Sequence, residues 1–245
     1  DAYNYLRRGV KNPSLQRLVA AANSSNKNNN TVVEWIVVSD GSSDQTAHVY
    51  REFVTCSAAS NNDMTWKLIE FSRNCGKGAA VKSGMSAASG DYCLMVDADG
   101  ATEFGPGLEN LTQHEPVDVF VGSRAHLHQP QERSAVRKIL ALCFHLCVVV
   151  LIGAADIRDT QCGFKLFTRK SAHALFRILH LRRWAFDTEL LFIAKYLGFS
   201  IAEVVVPWHE VEGSKLHTST LNLALVSIGM LRDMVCVKLC YLLGI

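Results

Sequence analysis

The stretch Tyr92-Cys93-Leu94-Met95-Val96-Asp97-Ala98-Asp99-Gly100 carries the fold of this chain in miniature. Residues 92–96 hold no charge and are too few for a helix, so they predict a buried strand of the kind found in sheets covered on both faces. Asp97 and Asp99 then stand at the strand's carboxyl end, where open α/β sheets bind their ligands. Working outward, residues 32–38 predict another buried strand, 44–59 a helix and 66–71 a strand. A small-residue helix follows over 78–88, stopped by Gly90, with a further strand over 117–121. Strands alternating with helices predict an α/β fold with a parallel or mostly parallel central sheet flanked by helices. With 245 residues and 49% hydrophobic content there is enough chain for one substantial core, so a single domain over 1–245 is expected.

Three places at these strand ends carry chemistry. Two carboxylates two residues apart repel each other unless a hard cation neutralises them, and Mg²⁺ or Mn²⁺ bound to a diphosphate does so. This makes Asp97 and Asp99 metal candidates, against the alternative of a solvated turn. After Ile36-Val37-Val38 comes Ser39-Asp40-Gly41, where Asp40 is placed to accept hydrogen bonds from a base or ribose, or else is a turn residue before the glycine. Asp44 is read as the N-cap of the next helix. The passage Asn74-Cys75-Gly76-Lys77-Gly78 enters a helix with free N–H groups and a lysine suited to phosphate or sugar oxygens, although it lacks P-loop spacing. Turn geometry and close helix packing are the other reading of Gly76 and Gly78.

Charge and composition narrow the classes. Lys and Arg number 25 against 23 Asp and Glu, a net +2 that excludes wholesale nucleic-acid binding as the default and makes any basic site local. A mean hydropathy of +0.10 directs attention to apolar segments. The strongest is 139–155 within a helix expected over 134–155, flanked by Arg133, Arg137 and Lys138 before and Asp156, Arg158 and Asp159 after. Its length favours a helix lying at a membrane interface over a spanning one, with an ordinary core helix as the alternative. Residues 219–243, interrupted by Arg232, Asp233 and Lys238, predict a second interfacial or packing helix. None of the eight cysteines forms a Cys-x-x-Cys pair, which argues against zinc and for a reducing compartment. The histidines 145, 173 and 180 are read as structural. The polar run 23–30 is read as an insertion outside the core.

In this order and spacing the motifs resemble the inverting nucleotide-sugar glycosyltransferases of family 2, whose fold is GT-A, a Rossmann-like sheet flanked by helices. The resemblance narrows over Gly122-Ser123-Arg124, the Ile157–Phe167 segment with Asp159-Thr160-Gln161-Cys162-Gly163-Phe164-Lys165, Arg183-Trp184-Ala185-Phe186-Asp187-Thr188-Glu189-Leu190 and Trp208-His209-Glu210-Val211-Glu212-Gly213-Ser214-Lys215. Across residues 32–243 these are similar to the dolichyl-phosphate β-glucosyltransferases.

That resemblance implies transfer of glucose from UDP-glucose to dolichyl phosphate, giving dolichyl β-D-glucosyl phosphate for lipid-linked oligosaccharide assembly in N-glycosylation. It further implies a membrane-surface enzyme of the endoplasmic reticulum whose active site faces the cytosol, and it leaves the oligomeric state open. Carried over residue by residue, Asp40, Gly41 and Lys77 fall at the nucleotide-sugar site, and Asp97 and Asp99 at the Mg²⁺ or Mn²⁺ diphosphate site. Arg124 and Lys215 would face phosphates within the catalytic set. Arg124, Arg137 and Arg158 are the acceptor-phosphate candidates, the last two alternatively meeting anionic headgroups. Asp187 falls where inverting GT-A enzymes place an acceptor-side carboxylate, and is read as a base, a positioning group or the N-cap of a helix over 188–197. The family opens with a strand ending in Pro-Ala-Tyr-Asn-Glu. Here Ala2-Tyr3-Asn4 has no apolar run before it, so residues 1–8 are read as the following helix with the first strand missing. Ser39 also stands where the family usually carries a second acid. A dolichyl-phosphate mannosyltransferase using GDP-mannose and a catalytically silent membrane-surface binder are the alternatives.

Overall fold

The computed structural model describes residues 15, 33–58, 64–124, 146, 148–150, 153, 156–209 and 220–244. Strand β1 (Val33–Ser39) pairs in parallel with β2 (Met64–Glu70), in register from Val33↔Met64 to Ser39↔Glu70. Helix α1 (Thr46–Ala58) connects them and begins where Asp44 accepts the backbone N–H of Thr46 at 3.0 Å, the service expected of a capping carboxylate. Register places Trp35 beside Trp66, and their rings stack with centroids 6.0 Å apart while Phe53 of α1 meets Trp66 edge-on.

The larger sheet has the order β3-β5-β4-β6, formed by β3 (Tyr92–Val96), β4 (Val119–Ser123), β5 (Phe164–Thr168) and β6 (Ile201–Val205). β4 and β6 run parallel, whereas β5 is antiparallel to β3 and to β4. Thus β3, β4 and β6 share one direction, as an α/β fold of parallel strands requires, with one inverted strand between them. Inversion has a consequence for chemistry: β5 delivers its beginning, Cys162-Gly163-Phe164, to the edge where its neighbours end. Phe164 pairs with Val96, and Asp97 N–H donates to the Gly163 carbonyl at 2.9 Å. Among the described residues no ladder joins β1 to β3, and the strands fall in a two-stranded and a four-stranded sheet.

Period-two alternation sorts the strand side chains onto two faces. Cys93, Met95, Val119, Val121 and Phe167 join one core with α2 (Lys77–Ala87), α4 (Arg169–Ile178), α5 (Phe186–Tyr196) and α6 (Thr220–Leu243). Phe120, Phe164, Val204 and Val206 form the other core with α3 (Phe104–Thr112). Helix α4 is capped by Thr168, whose hydroxyl accepts from Ser171 N–H.

Several expectations need correction. The helix predicted over 188–197 starts at Phe186 with Ala185 as its cap residue, so Asp187 lies inside the first turn and does not cap it. Its side chain points into the core towards a lysine instead. The strand predicted over 117–121 runs from Val119 to Ser123, because Gly122 and Ser123 find partners in Val204 and Val205 of β6. β5 has no counterpart in the sequence reading.

Of residues 1–32 only Leu15 is described, against the α3-side core. The reading of residues 1–8 and of the 23–30 insertion therefore lies outside the described residues. Of 134–155, residues 148–150 are helical, with Val148 buried and Val150 exposed, and most of the rest lies outside them. Helix α6 buries Met230, Met234 and Val237 and leaves Leu225, Ile228, Val235, Leu239 and Leu242 in solvent. Among the described residues no helix is long and apolar enough to cross a membrane.

Candidate active site

Asp40 sits just beyond β1 and grips the entrance to α2. Its Oδ1 accepts Cys75 N–H at 2.6 Å and its Oδ2 accepts Gly76 N–H at 2.9 Å, while Asn74 Nδ2 donates to its carbonyl. Two glycines make this clamp possible. Gly41 has φ +64° and Gly76 φ +102°, and a Cβ on Gly76 would stand 2.4 Å from the Arg182 carbonyl oxygen. The loop 180–183 therefore lies directly on the 74–78 turn, and Arg182 accepts Ala79 N–H at 3.0 Å. Glu189 of α5, wholly buried, holds that loop from below. Its carboxylate takes the backbone N–H groups of His180 and Leu181, the latter at 2.6 Å, and lies 3.1 Å from His180 Nδ1.

Lys77, the first residue of α2, reaches across to the end of β3 and donates from Nζ to Asp97 Oδ2 at 2.7 Å. Asp97 also rests on the α-carbon of Gly163, where a Cβ would lie 1.9 Å from Oδ2. Asp99 is exposed, and its Oδ1 accepts Ala101 N–H at 2.9 Å. Among the described residues there is no group of three or more acidic, histidine or cysteine side chains able to hold a metal ion. Two hard carboxylates nevertheless fit Mg²⁺ or Mn²⁺, which keep several waters and are commonly held by one or two carboxylates together with substrate phosphates. Asp97 and Asp99 are the residues that would hold such an ion.

Beneath this surface is a buried ion pair. Lys165, at the second position of β5, has no solvent exposure and donates from Nζ to Asp187 Oδ1 at 2.5 Å and to the Cys162 carbonyl at 2.7 Å. Burial pushes the Asp187 carboxyl above the usual range, while Lys165 and the more distant Lys77 pull it back and Asp97 raises it. Charges of alternating sign thus run Lys165, Asp187, Lys77, Asp97.

Arg124 emerges from the end of β4. Its Nε and Nη2 form a fork on Asp159 at 2.6 and 2.8 Å, and its backbone N–H donates to the same carboxylate at 3.0 Å. The guanidinium lies 5.5 Å from the centre of the Trp208 ring. Burial would raise the Asp159 carboxyl, yet Arg124 outweighs it and holds the group below its ordinary value. Burial opposes the charge on Arg124 in turn, and Asp159 more than offsets it, raising the guanidinium further. Glu203 of β6 fixes this turn by accepting the backbone N–H groups of Arg158 and Asp159, the second at 2.8 Å.

The structure therefore brings Asp40, Gly41, Lys77 and Asp97 together at the carboxyl ends of β1 and β3, with Asp187 buried behind them. Arg124 shares this face closely enough for Asp97 to add to its electrostatics. Arg158 contributes its backbone to the Glu203 contact and leaves its side chain exposed. Arg137 and Lys215 lie outside the described residues. Lys165, Glu189, Asp159, Glu203 and Gly163 have no role in the sequence reading. Lys165, Glu189, Asp159 and Gly163 stand in the motifs that carry the family resemblance, without a role assigned to any of them. His173 is exposed and His180 meets Glu189, in keeping with structural histidines.

The model of the Glycosyl transferase family 2 matches residues 2–176. Over 220 residues the chain is 42% identical to a protein named dolichyl-phosphate beta-glucosyltransferase in Dictyostelium discoideum, a match covering 86% of this chain and 64% of that protein. The mouse protein of the same name is 46% identical over 193 residues, covering 75% of this chain and 58% of its own length. The counterpart of Saccharomyces cerevisiae is 37% identical over 228 residues, covering 86% and 66% respectively. The chain thus spans somewhat less than two thirds of these curated relatives.

Proposed function

Because the chain belongs to glycosyl transferase family 2, we propose that it transfers glucose from UDP-glucose to dolichyl phosphate, with inversion, at a membrane surface. The observation that carries this reading is the shared name of relatives at 37–46% identity, each a dolichyl-phosphate beta-glucosyltransferase. Its setting is the cytosolic face of the endoplasmic reticulum. The apolar outer face of α6 and the free thiols of Cys75, Cys93, Cys162, Cys236 and Cys240 accord with a reducing, membrane-facing site.

Mechanistically, the nucleotide binds where Asp40 and Lys77 converge, the clamp on the 74–76 backbone keeping that turn rigid. A divalent cation held by Asp97 and Asp99, when bound, supplies compensation for charge developing on the departing UDP. Lys77 neutralises Asp97, and its ammonium would suit the phosphates of a nucleotide bound at this turn. The acceptor phosphate is already largely ionised at neutral pH, so the site has to orient it more than deprotonate it. Arg124 is suited to orienting it, because Asp159 and Trp208 fix the guanidinium in advance and a fork-shaped cation holds phosphate oxygens in a set direction. Arg137, Arg158 and Lys215 add positive charge for the acceptor phosphate or the surrounding headgroups. Asp187, sealed in the core against Lys165, is better suited to ordering the site than to taking a proton from a substrate in bulk water.

The test is transfer of radiolabelled glucose to dolichyl phosphate in liposomes, with EDTA, with GDP-mannose as competing donor and with Asp99→Asn. Glucolipid formation that requires the divalent cation and falls at least about 100-fold in Asp99→Asn is the expected result. Transfer from GDP-mannose alone would make the chain a mannosyltransferase, and none from either donor would make it a silent binder.

A further inference from the structure

Lys165 is the most deeply buried cation among the described residues and serves no step of the proposed reaction directly. Its strand offers no reason for a charge: Phe164 and Phe167 are fully buried, and the residues opposite Lys165 in the ladders are Met95 and Val121. A buried ion pair gains little stability over a well-packed apolar pair of the same volume, since the cost of removing two charges from water offsets their attraction. A lysine at this position therefore calls for an explanation other than cohesion.

The contacts of its ammonium supply one. On one side is Asp187 Oδ1 at 2.5 Å, on the other the Cys162 carbonyl at 2.7 Å. Cys162 adjoins Gly163, whose carbonyl accepts Asp97 N–H and whose α-carbon supports the Asp97 carboxylate. We propose that Lys165 is a positioning residue of the transfer site, fixing the Asp187 carboxylate directly and the Asp97 carboxylate through the Cys162–Gly163 backbone. This rests on the glycosyltransferase reading and deepens it, because one ammonium then sets the relation between two acidic groups, Asp97 at the end of β3 and Asp187 in the first turn of α5. The groups whose charge reaches Asp187 are Lys165 from β5, Lys77 from α2 and Asp97 from the end of β3. Removing Lys165 leaves burial opposed only by Lys77, so the Asp187 carboxyl rises further and stays protonated to higher pH.

The experiment compares wild type with Lys165→Gln, which retains hydrogen-bond donors but no charge, and Lys165→Arg, which retains the charge in a larger group. Thermal melting, UDP affinity with Mn²⁺, and the pH dependence of kcat are measured on each. For a folded Lys165→Gln, kcat at neutral pH falls about 100-fold and UDP affinity about tenfold, while the acceptor KM stays within about threefold. The acidic limb of its kcat profile moves up by about one pH unit or more, a change that a purely structural lysine would not cause. A folded variant with wild-type kcat, acidic limb and UDP affinity overturns the proposal. So does failure of both variants to fold, which would assign Lys165 to stability alone. Should the wild type form no glucolipid, the reaction reading fails on its own, and UDP affinity decides the inference: tenfold weakening supports it and no change overturns it.

Discussion

Gly163 shows how tightly one residue can be specified by chemistry that lies elsewhere in the sequence. Its φ is unexceptional, and what excludes every other residue is the Asp97 carboxylate, 1.9 Å from where a Cβ would stand, with the carboxyl carbon at 2.2 Å. Asp97 cannot yield freely, since it is bonded through its backbone to Gly163 and through its side chain to Lys77. Gly163→Ala is expected to push Asp97 out of place, weakening Mn²⁺-dependent UDP binding at least about tenfold while secondary structure is retained. Calorimetric titration with UDP and Mn²⁺ checks this, and wild-type affinity in the variant would mean that Asp97 has no part in the donor site. The glycine was visible in the sequence only as part of a resemblance. Its contact spans from residue 163 to residue 97, and no local pattern announces it. Lys165 was illegible for the same reason: its partner Asp187 is 22 residues away, and an isolated charge in a short apolar run disguises a strand.

At the scale of elements, the reading succeeded where periodicity and local punctuation agree. β3 runs over 92–96 as expected, and α1 and α2 fall within two residues of their predicted bounds. It failed at β5, whose inversion depends on pairing with strands on both sides. Of the three readings of Asp187 the cap is the one that falls, because capping preference is a local signal and a buried lysine from β5 overrides it. The end of β4 and the stretch just before β5 are tied together by a similar long-range device, the Arg124–Asp159 fork. The sign of its pH dependence follows from the Asp159 carboxyl, which lies below its ordinary value of 3.8 in the folded protein. Stability from such a group is fully present above the unfolded value and is lost as pH falls through the lower folded value. Asp159→Asn is expected to cost about 1–2 kcal/mol at pH 7, a modest figure because a third of Arg124 remains in solvent. The difference in melting temperature between wild type and variant should shrink as pH drops below about 4. A gap that persists unchanged at lower pH would show that packing, not ionisation, makes the contribution.

Across the whole molecule, the charged groups of the candidate site lie at strand ends, while a long apolar surface is carried by α6. One stripe of that helix, Met230, Met234 and Val237, is buried, and Leu225, Ile228, Val235, Leu239 and Leu242 are not, with Arg232 among them. A helix that keeps apolar side chains on its solvent side, yet is broken by Arg232, Asp233 and Lys238, suits a position in the plane of a bilayer interface better than across it. The proposed acceptor makes the same demand, because in the proposed site its phosphate would meet Arg124 while its hydrocarbon stays in lipid. Docking of α6 on the membrane, as proposed, would bring protein and acceptor into one two-dimensional phase and raise their effective concentration without any new contact at the site. Leu239→Glu with Leu242→Glu places two carboxylates on the exposed face and leaves the buried stripe untouched. Partition onto vesicles containing anionic lipid is expected to fall at least about tenfold, since each change removes burial worth roughly 1.5–3 kcal/mol and adds a repelled charge. Transfer to dolichyl phosphate in liposomes should fall in parallel, whereas UDP affinity in solution should not move. Loss of UDP affinity would place α6 in the folding of the site, and unchanged partition would remove it from the membrane.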